Sequence, residues 1–173
     1  GWRMGKAGNP VYGLAYALEA AMVARWMQQR ELRYLHVHFG NAGATVGVLV
    51  KQLIGCHLSY TIHGPDEFDD VPGQHLAFKM QMADQVVCIS QFAKGQLMRI
   101  SRPDDWPKFQ VCRLGVDPSQ FTFTTRKAAN ATVELLCVGR LSPAKGQVLL
   151  VQACAQLRDK GLNFSLTLVG DGP

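Results

Sequence analysis

The chain has 173 residues, enough for one ordinary domain or for pieces of two. Its apolar content of 47% is that of a globular protein, and 18% charged residues is on the low side, as in buried parallel sheets. A formal charge of +5 suits a phosphorylated ligand or an anionic membrane surface; nucleic acid is a weaker fit, with no basic run interleaved with aromatics and no zinc-finger spacing.

The chain opens on Gly1 instead of Met, in mid-pattern, and reads as a fragment. Tyr12 to Arg30 is expected to be a helix, rich in Ala, Leu and Met. Its polar face is not basic, which favours packing on a core over lying on a membrane. The apolar stretch from Val11 to Met27 is interrupted by Glu19 and Arg25 and is too short to cross a bilayer comfortably, and neither a signal peptide nor a membrane span is read in the residues given. Tyr34 to Phe39 reads as a strand with Tyr34, His36 and His38 on one face and Leu35, Val37 and Phe39 on the other. Two alternate histidines could ligate zinc, but no third ligand has suitable spacing, so a satisfied pair at the strand end is expected instead.

Val46, Leu49, Val50 and Leu53 mark the next helix, ended by Gly55. Leu58 to Ile62 is the following strand, closed abruptly by His63, Gly64 and Pro65. An acidic cluster follows at Asp66, Glu67, Asp69 and Asp70. A helix from Gln74 to Ala83, a strand from Gln85 to Ile89, a helix capped by Ser90 and running to Ile100, and a strand from Phe109 to Leu114 complete this half. Five cysteines, odd in number and without a C-x-x-C pair, suit a reducing compartment. Cys88, Cys112 and Cys137 fall in expected strands and should behave as small buried hydrophobes. Strands alternating with helices argue for a parallel α/β sheet.

Thr122 to Thr132 lacks hydrophobic period and is the expected domain boundary. The apolar run from Val133 to Val138 then reads as a buried strand broken by Gly139. Ser142 and Pro143 have the chemistry of a helix start, Leu150, Ala153, Cys154 and Leu157 recur at helical spacing, and Phe164 to Val169 is a second strand. Arg140 and Lys145 thus fall around an expected helix N-terminus, where free N–H groups already carry partial positive charge. As solvated surface cations they are unremarked chemistry. With the neighbouring glycines and the strand context they form a cradle for a diphosphate, which satisfies the N–H groups and both side chains together.

Val138-Gly-Arg-Leu-Ser-Pro-Ala-Lys-Gly146 followed by Val169-Gly-Asp-Gly-Pro173 resembles the donor-domain opening of family 4 glycosyltransferases. His36-Val-His-Phe39, Thr61-Ile-His-Gly-Pro-Asp-Glu-Phe68, Ala83-Asp84, Ile89-Ser90 and Gly115-Val-Asp117 extend the resemblance over most of the chain, in the family's order. The wording from His63 to Phe68 is similar to transferases that assemble bacterial exopolysaccharides of the colanic acid type.

The resemblance implies a GT-B fold of two Rossmann-like parallel-sheet domains, both incomplete. Residues 1–123 would be the acceptor-side domain lacking its start, and residues 124–173 the truncated beginning of the donor-binding domain. It implies that His63 faces the cleft and contacts the transferred sugar; without it, His63 reads equally as a loop histidine bonded to backbone. It further implies that Arg140, Lys145 and Gly139 hold the donor diphosphate, that no metal or other cofactor is needed, and that anomeric configuration is retained. Asp66 and Glu67 are candidates to bond acceptor hydroxyls. The implied partners are a nucleotide-sugar donor and a glycan or lipid-linked glycan acceptor, in the cytoplasm, with peripheral association at the inner face of the plasma membrane. A sugar-nucleotide epimerase and a non-catalytic nucleotide-binding module stand as alternatives. As given, the chain is not expected to transfer sugar alone.

Overall fold

The computed structural model describes residues 10–64, 66–123 and 132–172, the side chain of Asp66 excepted. Two compact units emerge, Gly1–Val116 and Asp117–Pro173. The expected boundary segment falls mostly outside the described residues, at 124–131.

The first unit is built on four short strands, β1 (Tyr34–His38), β2 (His57–Ile62), β3 (Gln85–Cys88) and β4 (Phe109–Val111), all parallel and ordered β1-β2-β3-β4. β2 buries four of its six residues, while β1 alternates, with Tyr34, His36 and His38 exposed on one face. Leu58, Tyr60, Ile62, Val86, Cys88 and Phe109 are buried and form the centre of the core. Because every strand runs the same way, all four C-terminal ends lie along one edge, which is where ligands gather in open α/β sheets.

The helices follow from their spacing. In α1 (Pro10–Gln29) the buried positions are Ala20, Ala24 and Met27, one narrow stripe that packs on Val50 and Cys56. Small residues on the stripe let two helices approach closely. The next helix, α2 (Ala42–Ile54), is capped by the Asn41 side chain accepting from the Gly43 N–H and stopped by Gly55 at φ 68°. The left-handed stop needs a residue without a Cβ. In α5 (Gln91–Ile100), Ser90 accepts from the Ala93 N–H as the sequence led one to expect.

Between β2 and β3 the chain departs from expectation. A short turn, α3 (Asp66–Asp69), comes first, and α4 spans only Leu76–Met82. The residues before α4 are spent on a tight turn in which Asp70 accepts from the Gly73 N–H at 2.9 Å and His75 takes a left-handed φ of 49°. Side-chain capping of the backbone by an aspartate competes with helix here. The last strand, β4, is also shorter than expected, and Cys112 beyond it is exposed rather than buried.

The second unit pairs β5 (Val133–Val138) with β6 (Phe164–Val169) in parallel, connected through α6 (Gln147–Asp159). Among the described residues of this unit only Cys154 is buried. Cys137, in β5, is half-buried.

Candidate functional site

The C-terminal ends of β1 and β2 bring three histidines together. Ring nitrogens of His36 bond the hydroxyls of Ser59 (2.7 Å) and Thr61 (2.9 Å) on the adjacent strand, so both its nitrogens are committed. Burial, and then the neighbouring His38, hold its imidazole below the usual value. The expected pairing of His36 with His38 is an edge-on ring contact at 5.0 Å, without a hydrogen bond. His38 instead reaches across to the next loop, where its Nδ1 lies 3.0 Å from Nε2 of His63, one ring donating and the other accepting.

Phe39 was expected to continue the apolar face of β1. It takes a left-handed φ of 69° instead, while its N–H still bonds the Thr61 carbonyl at 2.9 Å. A non-glycine residue with such a φ is uncommon and costs backbone energy. The turn lays its ring on His63, with centroids 4.5 Å apart and planes 30° apart. His63 is therefore held from two sides, by a ring edge and by a ring face.

The backbone under His63 is held as firmly. One oxygen of Glu67 accepts from the His63 N–H (2.7 Å) and the Gly64 N–H (2.6 Å), and the other accepts from the Gly40 N–H. The acceptor-binding expectation for Glu67 gives way here. Its side chain is 5% exposed and its carboxylate is engaged by three backbone donors, so it faces inward. The side chain of its neighbour Asp66 lies outside the described residues.

Gly40 is gripped on its other side by Lys79 of α4, whose ammonium donates to the carbonyls of Gly40 (2.9 Å) and Asn41 (2.8 Å). Lys79 is 4% exposed. Burial pushes its amine down to about 8, against the opposing pull of the Glu67 carboxylate. Sequence reasoning missed this residue. The signal was present, since Leu76, Lys79, Met80 and Ala83 make one helical stripe and all four are buried. A lysine in a core stripe needs carbonyl or carboxylate partners.

A cavity of about 500 Å³ lies beside α4, lined among others by Val48, Leu49, Phe78 and Lys79. It is mostly apolar, and the polar rings at the strand ends are not part of its wall. The three histidines lie apart from it, at the strand ends.

In the second unit the ladder continues past the strands. Gly139 N–H bonds the Val169 carbonyl and Leu141 N–H bonds the Asp171 carbonyl, both at 2.9 Å. This close run explains two glycines, because a Cβ on Gly170 would collide with the Gly139 carbonyl, and one on Gly172 with that of Leu141. Ser142 and Pro143 do not start the helix as expected. Pro143–Lys145 is a separate 3₁₀ turn, Gly146 interrupts at φ 70°, and α6 begins at Gln147. Its free N–H groups are therefore those of Gln147, Val148 and Leu149. Gln147 also donates its amide to the Arg140 carbonyl at 2.8 Å, joining the loop to the helix start. Arg140 and Lys145 are exposed, and among the described residues neither side chain has an ion-pair or hydrogen-bond partner. No three His, Cys, Asp or Glu come together as a metal site among the described residues. No described helix is long and apolar enough to cross a membrane.

No family model matches the chain. It is 30% identical over 141 residues to WcaL of Salmonella typhimurium and to WcaL of Escherichia coli, both named as colanic acid biosynthesis glycosyltransferases. It is 28% identical over 146 residues to the amylovoran biosynthesis glycosyltransferase AmsK of Erwinia amylovora. Each match takes 79% of this chain but 34% of the relative, so the chain spans about a third of the length of these curated relatives. Anabaena HepE, solved in complex with UDP-glucose, superposes on 88% of this chain and 43% of its own with a TM-score of 0.67 at 22% identity. That likeness shows the fold, parallel α/β of the GT-B type.

Proposed function

We propose that this chain is part of a family 4 glycosyltransferase that moves a hexosyl unit from a nucleotide-sugar to a glycan or lipid-linked glycan during exopolysaccharide synthesis. The observation that carries the reading is the mounting of His63. A half-buried imidazole stands at the C-terminal edge of a parallel sheet, fixed by His38 and Phe39 and by its own backbone. The names of the relatives and the UDP-glucose in the HepE structure support the substrate class.

In this reading residues 1–123 serve the acceptor side and residues 124–173 the donor side. With Nε2 tied to His38, Nδ1 of His63 is the nitrogen available to a hydroxyl of the transferred sugar. The ring orients that sugar and favours the positive character developing at its anomeric carbon. Arg140, Lys145 and the amides near Gly139 hold the diphosphate and neutralise charge as it departs. The bond from the anomeric carbon to the donor phosphate oxygen breaks and the bond to the acceptor oxygen forms on the same face. The acceptor proton passes to the departing phosphate oxygen. No metal or other cofactor takes part, and the enzyme works in the cytoplasm, at the inner face of the plasma membrane.

Product analysis with a labelled nucleotide-sugar tests this. The complete transferase should release nucleoside diphosphate and a glycoside of retained configuration, and only when acceptor is present. An altered sugar still joined to nucleotide, with or without acceptor, would identify an epimerase. Binding without turnover would identify a non-catalytic module.

A further inference from the structure

The buried charges Glu67 and Lys79 touch neither each other nor the histidine rings, yet both close on the same residue. Gly40 gives its N–H to Glu67 and its carbonyl to Lys79. Glu67 bonds the His63 and Gly64 amides with its other oxygen, and Lys79 takes the Asn41 carbonyl as well. The path therefore runs from α4, through the loop after β1, to the loop after β2, and its links span 27 and 39 residues of chain. A side chain at Gly40 would run into Leu76 and press on the Glu67 carboxylate, so the close approach depends on glycine.

We propose that Glu67 and Lys79 are positioning residues, which lock the turn that follows His38 at the end of β1 to the loop carrying His63 and so set the His38–His63 contact. The inference rests on the role given to His63 above. The physical reasons are three. A carboxylate accepting several backbone N–H bonds, and an ammonium donating to carbonyls, make bonds roughly twice as strong as neutral ones. At 5% and 4% exposure these bonds are screened little by water. Finally, a carboxylate and an ammonium buried this deeply cost desolvation energy that an apolar core would avoid, as the lowered Lys79 amine records. That cost is repaid in geometry at the strand ends, where a 1 Å misplacement is worth about a hundredfold in rate.

The test reads the rings directly and needs no turnover. In nitrogen-15 spectra of the histidine side chains, His57 is an internal control. Its ring stacks on Tyr34 at the opposite end of β1 and β2, outside the Glu67–Lys79 path. In Glu67→Gln, and independently in Lys79→Met, the ring nitrogen signals of His38 and His63 should shift while those of His57 keep their positions. Glu67→Asp, which keeps the charge and shortens the reach, serves where the other variants do not fold. His38 and His63 signals unchanged in folded variants would overturn the proposal. So would loss of the His57 signals together with the others in all three variants, since the pair would then support the whole unit and not the loops. In the complete transferase the same variants should lower turnover about a hundredfold with the donor KM unchanged. Shifted rings with normal turnover would leave the lock standing and remove His63 from the reaction.

Discussion

The loop after β2 and the loop after β5 both leave the C-terminal end of a parallel strand, but they are built on opposite terms. In the first, His63 has its amide, its ring edge and its ring face all engaged, and the groups that engage it are themselves held by buried charges. In the second, only the backbone is tied, through Gly139, Leu141 and the Gln147 amide, while Arg140 and Lys145 stand exposed. The difference matches two kinds of task. A group that must meet one reacting atom is costly to leave loose. A cation that meets a diphosphate can be ordered by the anion itself, at the expense of some side-chain entropy.

One effect that would sharpen this contrast is on nucleotide binding. In the complete transferase, Arg140→Ala and Lys145→Ala should each weaken nucleoside diphosphate binding by one to two decades, since a charge-assisted bond contributes about 1.5–3 kcal/mol. Calorimetry finding both variants at the parental affinity would return the two cations to the solvated surface.

A smaller effect should appear in the backbone of the second loop. Gly170→Ala places a Cβ against the Gly139 carbonyl, so the paired amides of Gly139 and Leu141 should exchange faster with solvent. Overpacking of this kind costs about 1–3 kcal/mol. Exchange rates as slow as in the parent chain would show that the ladder does not depend on that glycine.

A further effect is a slope with pH. The folded state releases the Lys79 proton near pH 8, whereas the unfolded chain holds it to about 10.5. Between those values the unfolded state binds more protons, so this group makes folding more favourable as pH rises. Cys88 and Tyr60, raised by burial, act in the opposite sense above their ordinary values. The comparison that isolates Lys79 is therefore parent against Lys79→Met. The parent should gain stability relative to the variant from about pH 8 toward 10.5, and denaturant midpoints that run parallel would contradict the buried ammonium.

The sequence carried the strands well because each is a short apolar or alternating run, and β6 falls where Phe164 to Val169 was expected. It carried the caps at Asn41–Gly55 and Ser90 less evenly, since only Gly55 and Ser90 were legible as such. The start of α6 was misplaced because Ser142 and Pro143 look like a helix opening, while the left-handed Gly146 that interrupts it has no periodic signature. His63 was visible from its place after a strand. Its mounting was not, because the bonds from His38 to His63 and from Gly40 to Glu67 join residues 25 and 27 apart, and spacing along one helix or strand does not report such pairs. Lys79 was within reach, as a charge on the stripe of Leu76, Met80 and Ala83. Glu67 was seen as one of four acids, and nothing local marks the one that turns inward.

The most direct measurement puts turnover and nucleotide affinity on the same His63→Ala protein. Removing one preorganised polar group at a reacting centre typically costs about 10²–10³ in turnover. The account predicts a loss of that size with nucleoside diphosphate affinity near the parent value, the reverse of what Lys145→Ala should show. Full turnover in His63→Ala, or a fall in nucleotide affinity as large as that of Lys145→Ala, would contradict it.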